Sequence, residues 1–172
     1  RLFDGTPVLV PAAFNTEAEA NGDILMYPEG DRSVPPSGRM PQGGYYFDEI
    51  VRQPPIVEEK LDPEDNMEEF TAIDDDTVGY YASEADRLAR TTDKAVFAGF
   101  CFTSFGDIAL VPAPWLKHPR GIRDVEEWYV STLTRRDYVW KVFERQCEVA
   151  LADLSKLARR IGDKVHVTLV TG

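Results

Sequence analysis

Between Ala98 and Trp115 the chain reads AGFCFTSFGDIALVPAPW, an apolar strand that passes without a charged break into a loop of Phe, Gly, Asp and Pro. A loop at the carboxyl end of a parallel strand is where open α/β sheets and α/β barrels keep their ligands. Asp107 follows a glycine, the setting of a turn or helix-start residue, so a capping role stands beside a chemical one. Trp115 and Trp128 could stack on a flat ligand, although aromatics beside loops and helices also serve as packing anchors, and Trp128 is expected in the core. His118 and His166 lie far apart and have no Cys or carboxylate at ligand spacing, so no metal site is expected from these residues alone. Cys101 and Cys147 fall on a strand end and a helix as single thiols, which fits a reducing, cytoplasmic setting better than a structural disulfide.

The elements that must carry this loop follow from periodicity. TPVLV reads as a short strand closed by Pro11. GDILMYP and GGYYFDEIV read as two more, separated by EGDRSVPPSGRMPQ, whose Pro and Gly content predicts a long irregular loop in a hairpin. That loop could form a lid with Arg39 reaching an acidic ligand, or a plain surface excursion. RQPPIVEEKLDPED reads as an exposed connector. DDDTVGYYASEADRLARTT has acids at its start and arginines near its end, with Val78, Tyr81, Ala85 and Leu88 on one stripe, which predicts a helix. KAVFAGFCF is an apolar strand, IRDVEEWYVSTL a short amphipathic helix and RRDYVWKVFERQCEVALADLSKLARRIG a long one ended by Gly162 in a left-handed cap. Val165 to Val170 alternates as a closing strand. Strand, loop, helices and strand form the unit of a parallel sheet with helical crossovers.

Three regions are therefore expected: a strand and hairpin region over 1–57, an acidic connector and helix over 58–94, and a βαβ portion over 95–172. Charge divides along the same line. Residues 1–94 hold 8 Lys and Arg against 21 Asp and Glu, whereas residues 95–172 hold 11 against 9. Much of the acidity lies in Glu58 to Asp76, where it would repel a phosphate backbone, so nucleic acid is not an expected partner. A solvated face is the expected role of that run. No apolar run is long enough to span a bilayer, and no membrane partner is expected. A terminal apolar strand that needs neighbours on both sides leads to the expectation that these residues are a piece of a larger protein.

FAGFCFTSFGDIA, a Trp-bearing helix, a long helix and a terminal apolar strand, preceded by FNTEAEANGDILMYPEGDRSVPPSGRMPQGGYYFDEIVRQPPI and LDPEDNMEEF, resemble the central part of the uroporphyrinogen decarboxylase superfamily, including its decarboxylase-like members linked to corrinoid methyl transfer. The resemblance implies an α/β fold, part of a TIM-type (β/α)8 barrel with an N-terminal β-hairpin region. It maps the family's strand-end pattern onto Ala98, Gly99, Phe100, Cys101, Phe102 and Thr103, and implies substrate contacts from Phe102, Thr103, Asp107 and Thr171. Asp107 stands where the true decarboxylases place a tyrosine. A carboxylate there would repel the eight carboxylates of uroporphyrinogen unless protonated or paired. Asp23, in GDILMYP, superficially matches the strand of the catalytic Asp but reads better as a turn residue entering a hairpin.

The implied activity is a cofactor-independent carboxy-lyase acting on a tetrapyrrole such as uroporphyrinogen III, with the catalytic residue unassigned and with the activity of the piece alone left open. The alternative within the superfamily is a corrinoid-dependent methyltransferase, which would need a corrinoid and a zinc site outside these residues. Outside enzymology, an open sheet edge would recruit a partner chain, as a homo-oligomer or by pairing with the missing part of the barrel.

Overall fold

A computed structural model describes residue 7 and residues 15–100 and 110–170. The predicted strand at Thr6–Val10 lies outside the described residues, apart from Pro7. The described residues build two sheets and three α-helices, with short 3₁₀ turns between them.

The first sheet is a small antiparallel meander in the order β1 (Thr16–Ala18), β2 (Ile24–Met26), β3 (Gly38–Met40) and β4 (Asp48–Glu49). It corrects the expectation of a hairpin around an irregular loop. β3 lies inside the Pro- and Gly-rich segment and pairs with β2, Ile24 opposite Met40. Pro35 and Pro36 precede β3 and Pro41 follows it, so no proline interrupts the ladder, and pairing overrides the local turn tendency. The predicted strand over 43–51 shrinks to Asp48–Glu49, because Gly43 takes a left-handed φ of 78° and turns the chain. Asp23 is buried in the turn between β1 and β2. Its carboxylate accepts from the Gln42 amide at 2.9 Å and from Arg39, and its own amide donates to Asn21 Oδ1. Arg39 is thus engaged inside the meander.

α1 (Asp75–Thr91) starts at Asp74, whose carboxylate accepts the Thr77 amide at 2.6 Å. α2 (Val125–Thr134) starts at Asp124 in the same manner. α3 (Arg136–Ile161) spans 26 residues, about 39 Å at 1.5 Å per residue, and serves two cores. Its first half supplies Tyr138, Val139 and Val142 to a cluster with Met67, Val111, Ile122 and Trp128. Its second half brings Leu157 and Ile161 against Val78 and Ala85 of α1 and Phe100. Gly162 is not left-handed as predicted: at φ −61° and ψ −26° it continues right-handed. The Ile161 carbonyl instead accepts from Lys164 and Val165, which closes the helix without an αL residue.

β5 (Phe97–Gly99) and β6 (Val167–Leu169) pair in parallel, Phe97 opposite Val167, with α2 and α3 in the connection between them. His166 stitches the pair, accepting the Val96 amide on Nδ1 at 3.1 Å. Ala98 and Phe100 pack with Val78 and Ala85 of α1 and Leu157 and Ile161 of α3, whereas Phe97, Val167 and Leu169 stand 62, 51 and 49% exposed. Parallel strands in globular proteins are usually covered on both faces, whereas every residue of β6 is solvent-exposed.

The connector over 52–65 is less exposed than predicted. Ile56 and Leu61 pack on the first core, and a short 3₁₀ turn at Pro63–Asn66 buries Asn66. Asn66 donates to the Ile122 carbonyl at 2.9 Å, while its Oδ1 accepts from the Ile122 amide at 2.8 Å and from the Tyr138 hydroxyl at 2.7 Å. Burial holds the Tyr138 phenol well above its ordinary value. Gly121 makes room for this knot. Its φ is 78°, and a Cβ there would stand 2.4 Å from Asn66 Oδ1. Gly121→Ala is expected to destabilise by about 2–4 kcal/mol, from left-handed strain and displaced buried hydrogen bonds. Urea unfolding checks this, and a loss below about 0.5 kcal/mol would show that the knot yields freely.

The acidic run is not merely a solvated face. Glu58 pairs with Arg135, Asp65 and Glu68 with Arg120, Glu69 with Arg123 and Asp75 with Lys156. The acids of the first half thus meet the bases of the second. Lys117 reaches back in the same sense, to Glu29 at 3.0 Å and Asp31 at 3.1 Å. The Ser33 hydroxyl and amide, with Lys117, hold the Asp31 carboxyl down from 3.8 to about 2. A depressed carboxylate contributes stability above its unfolded value and loses it as pH falls through the folded one. The Lys117 tie is therefore expected to persist at pH 4 and to fail towards pH 2. Carboxyl NMR titration should place the Asp31 midpoint near 2, and Lys117→Ala should raise it; an unmoved midpoint would remove Lys117 from the account.

Candidate functional site

At the carboxyl end of β5 the Phe100 ring meets the Tyr81 ring edge-on, with centroids 5.1 Å apart. Beside Tyr81 opens a groove of about 460 Å³, walled by the segment Glu69–Asp74, the first turns of α1, Asp153 of α3, and Leu110 and Trp115. Each wall has a local cause. The Asp74 cap fixes the start of α1 and so the direction of Thr77 and Tyr81. Asp153 lies on the buried stripe of α3, between Ala150 and Leu157, and both its oxygens face the Ile73 amide at 3.1 Å. That contact holds the 69–74 segment against α3, and Lys156 adds a bond to the Ile73 carbonyl at 2.8 Å.

The Trp115 wall is held from the connector. Arg52 donates from Nη1 to the Leu116 carbonyl at 2.5 Å and from Nη2 to the Ala113 carbonyl at 2.6 Å. Ala113 is fully buried with a left-handed φ of 48°, a strained setting for a non-glycine residue that surrounding bonds must enforce. Burial, reinforced by the like charge of Arg123, lowers the pKa of the Arg52 guanidinium. Trp115 itself is 48% exposed, with one part of its ring on the groove.

Two lining residues, Glu69 and Leu110, are tied to Arg123, which is 1% exposed. It grips Glu69 through Nη1 to Oε1 at 2.6 Å and Nη2 to Oε2 at 3.2 Å, and donates to the carbonyls of Leu110, Asp65 and Arg120. Burial pushes the Glu69 carboxyl up, while Arg123 pulls against that shift. Arg123 therefore fixes two walls, through Glu69 and Leu110.

The residues that the resemblance put forward, Phe102, Thr103, Asp107 and Thr171, lie outside the described residues, as does Cys101. Leu110, the first described residue after that stretch, lines the groove. Trp128 is core, edge-on to Phe143 at 6.1 Å, while Trp115 faces the groove. Asp153, Tyr81, Arg52 and Arg123 were not singled out from sequence as site residues. One signal was available for Asp153: a carboxylate interrupting the apolar stripe of α3.

Among the described residues no group of three His, Cys, Asp or Glu could hold a metal, and no helix is long and apolar enough to cross a membrane. The groove's described lining offers carboxylates, threonine hydroxyls and aromatic faces, and no His, Cys, Lys or Arg. That is the equipment of a binding wall for a ligand with a flat face and donor groups. No family model, curated protein or solved structure matches the chain.

Proposed function

We propose that the chain is a sector of an α/β barrel enzyme of the uroporphyrinogen decarboxylase superfamily, whose strand-end loops face a tetrapyrrole-sized ligand. The observation that carries this reading is the parallel pairing of Phe97 with Val167 across a helical connection, with β6 solvent-exposed along its length. A closed barrel would cover β6 and satisfy both strand edges with further parallel strands. In the carboxy-lyase version, a carboxylate stabilises a protonated, cationic pyrrole in a dry cavity and no cofactor takes part. Asp107 is the carboxylate that the resemblance offers. The setting is cytoplasmic, in keeping with the use of cysteine.

One observation favours the second version, methyl transfer from a corrinoid. Glu69, Asp74 and Asp153 line the groove without a lining cation, which suits amide-bearing side chains better than the eight carboxylates of uroporphyrinogen. The described residues do not fit a zinc ion, so the metal-activated nucleophile of that version would come from other polypeptide.

Titration under reducing, oxygen-free conditions separates the two. Loss of carboxyl groups from uroporphyrinogen III supports the carboxy-lyase, whereas a saturable shift of the hydroxocobalamin spectrum without decarboxylation supports methyl transfer. A monomer that binds neither would overturn the enzyme reading and leave the exposed strand β6 as an assembly surface.

A further inference from the structure

We infer that the groove between α1, α3 and Trp115 takes a flat aromatic ligand that presents a cationic or N–H donor group to Asp153. This ligand class follows from the groove alone, whichever barrel chemistry holds. Asp153 is 3% exposed, yet its two oxygens share a single donor, the Ile73 amide. Among the described residues no Lys or Arg pairs with it. Lys156, one turn along α3, spends its ammonium on the Ile73 carbonyl at 2.8 Å and on Asp75 at 2.7 Å. A buried carboxylate with free lone pairs and no counter-charge is costly unless something with donors meets it. The other lining carboxylates are engaged, Glu69 by Arg123 and Asp74 by the Thr77 amide.

The walls around Asp153 set the shape of the ligand. Tyr81, Phe70 and Trp115 give the groove apolar and aromatic surface, and its volume of about 460 Å³ lies in the lower part of the range of small-molecule sites. Aromatic faces attract cations as well as flat rings, so the walls and Asp153 favour the same ligand charge. An anionic ring system of the same outline would meet Asp153 with like charge in a place water screens poorly.

Two acridines of one outline and opposite charge test this: 9-aminoacridinium, a planar cation with N–H donors, and acridine-9-carboxylate. Fluorescence titration of the full chain is expected to show the cation binding about tenfold more tightly. The chain's formal net charge of −11 would draw any cation, so the deciding comparison is Asp153→Asn, which keeps an oxygen for the Ile73 amide. In that variant the preference is expected to fall to about threefold or less, while Trp115→Ala weakens both acridines alike. In the unaltered chain the Ile73 amide resonance should move with the cation and stay still with the anion, a readout that survives if Asp153→Asn fails to fold. Equal affinities, a preference that Asp153→Asn leaves intact, an Ile73 amide indifferent to the cation, or no saturable binding of either acridine would overturn the assignment.

Discussion

Arg123→Met is expected to lower the unfolding free energy by about 3–5 kcal/mol, the cost of breaking a buried ion pair from one side. Arg123 and Glu69 side chains are only 1 and 8% exposed, so removing the guanidinium strands a carboxylate that water reaches poorly. It also leaves the carbonyls of Leu110, Asp65 and Arg120 without that donor. The Glu69 carboxyl, already pushed up by burial, would rise further and take a proton. A raised folded value means the remaining penalty grows as pH rises through it, so the variant should be least unstable in mild acid. Urea unfolding at neutral pH and at about pH 5 reads both effects. Pairing the change with Glu69→Leu should recover much of the loss, because two apolar groups need no counter-charge. A single variant within about 1 kcal/mol of the parent would show that Arg123 is not the keystone of these walls.

Trp128→Ala is expected to cost a similar amount, about 3–5 kcal/mol, through lost burial and the cavity left behind. Trp128 is 5% exposed and sits among Met67, Val111, Ile122 and Val142, where α2, α3 and the 3₁₀ turn converge. Its neighbours are fixed by separate restraints: Ile122 by the Asn66 bonds and Val142 by the body of α3. They have little freedom to collapse into the space. Trp128→Phe should lose less, since a ring remains against Phe143. The chain's three tryptophans differ in exposure, Trp128 buried and Trp115 and Trp140 at 48 and 70%, so the variant should also lose the blue side of the emission band. Unchanged stability with an unchanged emission maximum would place Trp128 outside the core.

What the sequence determined by itself is local. The acid-first, base-last pattern of α1, the short amphipathic helix in IRDVEEWYVSTL, the three- and four-residue apolar steps of α3 and the apolar strands flanking them were legible, because dipoles and periodicity act within a turn or two of the chain. The parallel relation of β5 to β6 followed from the helices that connect them. Tertiary structure alone decided three things. β3 forms in a proline-rich stretch because β2 offers a ladder there. The acidity of the first half is met by Arg120, Arg123 and Arg135 across 52, 54 and 77 residues, pairings that no local pattern encodes. Asp153 becomes a groove carboxylate only because the 69–74 segment folds over α3, so its chemistry depends on neighbours 80 residues away in the chain.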